Sequence, residues 1–193
     1  LGPASRKTGL AISEIMYKPA PRSDTNNLEF VELFNSNPFF EDISGYRLSG
    51  DIGFTFPPGT VMPGGSFLVV AKQPAELREF YDLTDAPVLG PYEGTLKVPG
   101  LVRLRNDQGA ILLETEYDDQ PPWPVAADSA GHSLVLARPS YGERDAKAWD
   151  ISDTMGGSPG GYNGARATSQ SAVVINEFLA HTDPPFCDYI ELY

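Results

Sequence analysis

Apolar side chains recur here with a period of two, in runs too short for helices, and Gly, Pro, Asn and Asp interrupt the runs throughout. A period of two sends alternate side chains to opposite faces of an extended strand, so the pattern commits the chain to sheet structure. Strands are expected near Leu10 to Tyr17, Leu28 to Asn35, Gly45 to Ser49, Phe54 to Phe56 and Ser66 to Ala71. Further strands are expected near Leu101 to Arg105, Ala110 to Tyr117 and Ser133 to Ala137. In the run ending at Ala71, Phe67, Val69 and Ala71 share one face and Leu68 and Val70 the other, so both faces should be covered. Asn106 to Gly109 and Pro63 to Gly65 have turn chemistry. Pro74 to Tyr81 reads as the one helix, with Pro in its first turn, decorating a sandwich of sheets. Beyond Ala137 the pattern becomes irregular, and Trp149 is expected to pin this tail to the sheet.

The chain also begins its own pattern twice. Leu10 to Phe34 reads LAISEIMY, a turn-rich stretch, then LEFVELF; Val173 to Tyr193 reads VVINEFLA, a turn-rich stretch, then CDYIELY. Each copy carries a glutamate in each run, Glu14 and Glu32 in the first, Glu177 and Glu191 in the second. The organisation expected is an extension over 1–9, a β-sandwich over 10–163, a small and polar linker over 164–172, and the truncated start of a second domain over 173–193. Module repetition is commoner in extended surface and matrix proteins than in compact enzymes. Two strands without a core of their own are expected to add to the edge of a neighbouring sheet, making 173–193 a candidate for strand addition.

Charge narrows the partners. With 14 basic against 26 acidic residues the net charge is −12, and no basic patch is segregated, which argues against nucleic acid and anionic lipid. The single cysteine, Cys187, forms no intrachain disulfide and no Cys-rich zinc site, and two histidines, His132 and His181, make no His-rich one. No run is long and apolar enough to enter a membrane as a helix. The stretch LGPASRKTG lacks the apolar core of a signal peptide and reads as a processed or artificial end.

The paired glutamates are the first candidate site. Glu14 alternates with Ile12 and Met16, and Glu32 with Phe30 and Phe34, so each carboxylate is expected on a face with large apolar side chains. Two such carboxylates, brought together by a hairpin, need a cation or a shared proton. Ca²⁺ is the candidate cofactor, with Glu14, Glu32, Asp118 and Asp119 as metal ligands, although no EF-hand-like loop is present and no cofactor is required. The competing and favoured reading satisfies each glutamate internally, from loop amides or from Arg47, Arg103 or Arg105. Asp118, Asp119 and Trp123 form the second candidate, a ligand-binding loop stiffened by Pro121, Pro122 and Pro124. A Trp beside acids suits a sugar or a Pro-rich peptide; a Trp covering the open end of the sandwich, with an Asp capping a turn, is the structural alternative. Catalysis has little support: Ser133 beside His132 is no triad, a Glu14–Glu32 acid pair would need a cleft, and the GGSPGG stretch after Met155 reads as a domain-terminal loop.

The succession AISEIMY, EFVELFN, ISGYRLS, FTFPPGTVMPGGSFLVVAK, VRLRNDQGAILLETEYDD and PPWP resembles the lamin tail domain family in its bacterial form, over about 10–163, with the start of a second copy from Val173. The resemblance implies an all-β, immunoglobulin-like β-sandwich with one short helix and an irregular C-terminal tail. It also implies a bacterial setting, in modules of large exported or surface proteins. A lamin-type filament role is not expected, because nothing like a heptad rod precedes the domain. The function expected is a non-catalytic structural or adhesive interaction module at the cell surface or outside the cell, its partner a protein or a polysaccharide. An accessory domain that positions a catalytic domain, or a carbohydrate-binding module, are the alternatives.

Overall fold

A computed structural model describes residues 8–24, 26–163, 175–179 and 189–192. In chain order the strands are β1 (Leu10–Met16), β2 (Phe30–Asn35), β3 (Glu41–Asp42), β4 (Arg47–Gly50), β5 (Ile52–Thr55), β6 (Val61–Met62) and β7 (Phe67–Ala71). Helix α1 (Pro74–Tyr81) follows, then β8 (Val88–Leu89), β9 (Glu93–Gly94), β10 (Gly100–Arg105) and β11 (Ile111–Tyr117). A one-turn helix α2 (Ala126–Ser129) precedes β12 (Leu134–Leu136), β13 (Trp149–Ile151), β14 (Ile175–Leu179) and β15 (Tyr189–Leu192).

The first sheet has the order β13-β12-β1-β2-β7-β8 and the second β11-β10-β4-β5-β9. Their facing sides bury one core: Leu10, Ile12, Ile15, Val31, Leu33, Leu68 and Val70 from the first meet Leu48, Ile52, Val102, Leu104 and Leu113 from the second. Two sheets packed this way form the expected immunoglobulin-like sandwich. The first sheet is covered on its outer side as well, since Met16, Phe30, Val69 and Ala71 pack with Leu77 of α1. Parallel strands need a crossover connection, and α1 supplies it between β7 and its parallel neighbour β8. The alternation in β7 is as the sequence indicates, with Leu68 and Val70 in the inner cluster and Val69 and Ala71 in the outer one.

The alternation in β1 is not. Ile12 pairs with Leu33 and Glu14 with Glu32, so Ser13 is an extra residue in the ladder, a β-bulge. Ile12 and Ile15 therefore both point into the sandwich core, while Glu14 shares the outer face with Met16 alone of the two neighbours named from the sequence. Trp149 anchors the tail: it is 2% exposed, its strand pairs with β12, and its Nε1 donates to the Glu143 carbonyl at 2.9 Å. Short pairings missed by periodicity are the β3–β6 ribbon and strands β8, β9 and β13, each of two or three residues. The expected linker over 164–172 lies outside the described residues, as do His181 and Cys187. The strands β14 and β15 pair antiparallel with each other, Glu177 facing Glu191, and their register shifts between Ile175 and Glu177.

Candidate functional site

The outer face of β1 and β2 brings Glu14 and Glu32 side by side as direct cross-strand partners, each 1% exposed. Their oxygens are met by donors from three separate parts of the chain. Glu14 Oε1 accepts from the Ser133 hydroxyl on the approach to β12 and from the Ser158 amide at 2.9 Å, and its Oε2 accepts from the Ser158 hydroxyl at 3.2 Å. Glu32 Oε1 accepts from the Ser13 hydroxyl, the residue extruded by the bulge, and Oε2 from the Gly160 amide, both at 2.6 Å. The GGSPGG stretch is thus a strap laid over the carboxylates. Gly157 passes so near that a Cβ there would overlap the Glu14 carboxylate, and its φ of +88° suits glycine alone. Burial, and then the charge of Glu14, push the Glu32 carboxyl well above the usual carboxylate range, against the hydrogen bonds from Ser13 and Gly160.

Loop amides therefore do what the internal reading required of them. Arg103 pairs with Glu114, which also receives Arg144, and Arg105 donates to Ser49 and the Gly109 carbonyl. A cleft of about 250 Å³ opens beside Glu14, between Phe34, Phe67, Val135 and Tyr162, but Glu32 does not line it. The two-carboxylate geometry of a glycosidase is absent from it. His132 Nδ1 lies 2.7 Å from the Ser152 carbonyl, so the imidazole and the Ser133 hydroxyl serve different partners.

Asp118 and Asp119 lie elsewhere, in the loop after β11 of the second sheet, so the four acids proposed as Ca²⁺ ligands do not assemble one site. Ca²⁺ takes roughly 6–8 oxygen ligands. Among the described residues no group of three or more His, Cys, Asp or Glu is arranged to hold a metal. Asp118 Oδ1 instead accepts from the amides of Asp119 and Gln120, capping the turn, and Asp119 Oδ1 accepts from the Gln120 side chain. Trp123 is half-buried against the sandwich core, 6.2 Å from the Trp149 ring.

That placement leaves Trp123 on the wall of a second cleft, about 440 Å³, at the loop end of the sandwich. Asp51, Glu116, Tyr117 and Asp118 line it too, together with Pro99, Gly100 and Leu101; Asp119 does not. One Asp51 oxygen accepts from the Leu101 amide, whereas Glu116 is exposed. None of these three acids has an ion pair among the described residues, and the nearby Asp128 is occupied by Lys18 at 2.8 Å. Tyr117 is 1% exposed and stacks on Tyr17 at 5.2 Å. Both phenolic hydroxyls are buried; that of Tyr17 finds no hydrogen-bond partner among the described residues, and that of Tyr117 has the Lys97 backbone beside it. Burial raises both phenols, and Asp128, Asp119 and Asp118 raise Tyr17 further, as Asp51 and Glu29 do Tyr117.

Sequence reasoning missed Asp51, Glu116 and Tyr117, because residues from separate loops and strand ends meet at this cleft. It missed a third internal acid as well. Glu29 is 6% exposed and accepts from the Tyr92 hydroxyl at 2.9 Å and the Leu96 amide at 3.2 Å, a role for which its place ahead of an apolar run is the only signal.

Comparison with protein families matched residues 3–150 to the model of the Lamin Tail Domain. Searches of curated proteins and of solved structures returned no significant match.

Proposed function

The chain belongs to the lamin tail domain family, whose members are non-catalytic immunoglobulin-like interaction domains, and from that premise we propose that it works as a structural or adhesive module of a multidomain bacterial protein, exported or displayed at the cell surface. The observation that carries this reading is the contrast between the two acidic regions: the outer-face carboxylates are buried and consumed by the fold, whereas the loop-end cleft is lined by Trp123 and by three acids, Asp51, Glu116 and Asp118, that have no ion pair among the described residues. The loop end around Asp118 to Pro124 is the binding surface in this reading, and its partner is a protein or a polysaccharide.

An array of such modules is favoured over a lone domain by the hairpin of β14 and β15. It repeats the first hairpin's register, Ile175 opposite Leu192 and Glu177 opposite Glu191, as Ile12 is opposite Leu33 and Glu14 opposite Glu32. We read it as the first hairpin of another such domain, with strand addition to a neighbouring sheet as its alternative mode of docking. The accessory-domain reading differs in what accompanies the module in the same protein: a nuclease-like or kinase-like domain supports it, and further sandwiches support the array. Binding is tested by retention of the purified chain on immobilised surface proteins and polysaccharides. Retention that Trp123→Tyr lowers and Glu32→Gln leaves intact supports the loop end; retention indifferent to Trp123 moves the binding surface elsewhere.

A further inference from the structure

Arginines gather on the outer face of the second sheet, although the sequence holds no basic run there. Leu48 of β4 and Val102 and Leu104 of β10 point into the core, so Arg47, Arg103 and Arg105 project the other way. Arg144 reaches the same face from the tail. Two of these four are matched: Glu114 on β11 gives one oxygen to Arg103 and the other to Arg144, and Arg103 beside it holds its carboxyl below the usual carboxylate range. The other two are not. Arg47 and Arg105 are direct cross-strand partners, a like-charge pairing that costs stability. Their guanidinium groups converge at the turn after β10, where Arg105 Nη1 donates to the Gly109 carbonyl at 2.8 Å and a Cβ on Gly109 would lie 3.5 Å from Arg47 Nη2. Arg105 is fixed further by its Nε, which donates to the Ser49 hydroxyl at 3.0 Å. Among the described residues exposed Arg47 has no hydrogen bond, and neither arginine of the pair has an ion pair.

Glu114 shows what two such groups accept here, a carboxylate met by N–H donors on both oxygens. The Arg47–Arg105 pair has the same two forks and lacks the acid. An external carboxylate between them would complete the pattern and relieve their repulsion. The described strands of this sheet present no large exposed apolar side chain, so they lack the apolar and aromatic anchors from which protein interfaces take most of their energy. A hydrophilic polymer carrying carboxylates needs none, and Thr55 beside Arg47 and Ser49 beside Arg103 offer it hydroxyls. Nucleic acid takes its affinity from many phosphate contacts, more than one unmatched pair supplies. Distant acids of the −12 chain are screened beyond about 8 Å at physiological salt.

We infer that Arg47 and Arg105 form a carboxylate-binding pair on the outer face of the second sheet, and that its ligand is an acidic polysaccharide of the uronate class. The pair lies at the opposite end of β10 from Leu101 and the loop-end cleft, so this inference and the loop-end reading stand or fall separately.

The test is calorimetric titration of the whole chain, at physiological salt, with four probes: a galacturonate tetrasaccharide, its methyl ester, a glutamate tetrapeptide and a thymidine tetranucleotide. The free uronate binds at least about tenfold more tightly than each of the others. Arg47→Gln weakens it by about tenfold while the melting temperature stays level or rises, because a like charge has gone and no internal bond with it. Lys18→Gln removes the same charge away from this face, where Lys18 serves Asp128, and leaves the affinity unchanged. Equal binding of the methyl ester overturns the carboxylate, and equal binding of the peptide or the oligonucleotide overturns the polysaccharide. Equal weakening by Arg47→Gln and Lys18→Gln reveals diffuse attraction and overturns the site. If the uronate does not bind while Trp123→Tyr still lowers retention on another partner, this inference fails and the loop-end reading stands.

Discussion

Carboxylates on the outer face of the first sheet and carboxylates at the loop end have opposite relations to the fold around them. Glu14 and Glu32 lie deep beneath a strap, with hydroxyl and amide donors on all four of their oxygens. Asp51, Glu116 and Asp118 line an open cleft, where Asp51 and Asp118 each accept backbone amides on one oxygen, and the nearby buried hydroxyl of Tyr17 finds no partner among the described residues. Burial of a charged residue is thus no sign of function here. An unspent hydrogen-bonding capacity is the better one, because a folded chain satisfies nearly all its buried polar groups, and the exceptions call for an explanation.

The contrast breaks most severely at the strap. Gly157→Val places a β-branched side chain at a φ of +88° and into the Glu14 carboxylate; a loss of about 3 kcal/mol or more is expected in denaturant unfolding. Glu14→Ala leaves the Ser133 and Ser158 donors buried without an acceptor and should cost about 2–4 kcal/mol by the same measurement. If either variant unfolds like the parent chain, the carboxylates are not the fastening they are described as.

Glu32 sharpens the comparison through pH. Its carboxyl is raised in the folded state relative to the ordinary value of 4.5, so the folded chain holds this proton more tightly than the unfolded one. The associated stability is fully present below about pH 4.5 and is lost as pH rises through the raised folded value. Glu32→Gln should flatten that decline, which melting curves of the two chains across the acidic to mildly alkaline range will reveal; parallel curves would show that Glu32 titrates normally. The smallest effect is expected at the other end of the molecule. Tyr17→Phe removes a hydroxyl that has no partner among the described residues, so stability should stay the same or rise by up to about 1 kcal/mol; a clear loss would mean that the phenol is already satisfied.

Much of the sandwich was legible because its strands obey local rules. The helix over 74–81 announces itself by Pro74 and a buried Leu77, and β7 by apolar residues on both faces. The bulge was not legible, since Ser13 is an ordinary strand residue and only pairing with β2 reveals that it has no partner across the ladder. The favoured internal reading of Glu14 and Glu32 identified the kind of partner but not its source. Ser158 lies 144 positions from Glu14, and a Gly- and Pro-rich stretch gives no local sign of what its amides face. Trp123 and Asp118 were recognisable from the proline-rich loop. The rest of the cleft was not, because Asp51 and Tyr117 reach it from different strand ends and their shared environment exists only after the two sheets pack.

The strap also sets an order of events. Gly156 to Gly160 are synthesised after every strand of both main sheets, so a nascent sandwich can pair its strands while Glu14 and Glu32 still lack the amides of Ser158 and Gly160. A chain cut at residue 150, where the match to the family ends, would keep all the strands that surround the two acids and lose the segment that covers them. The boundary of the folding unit therefore extends past its last sheet residue, and the closing act of folding belongs to a loop.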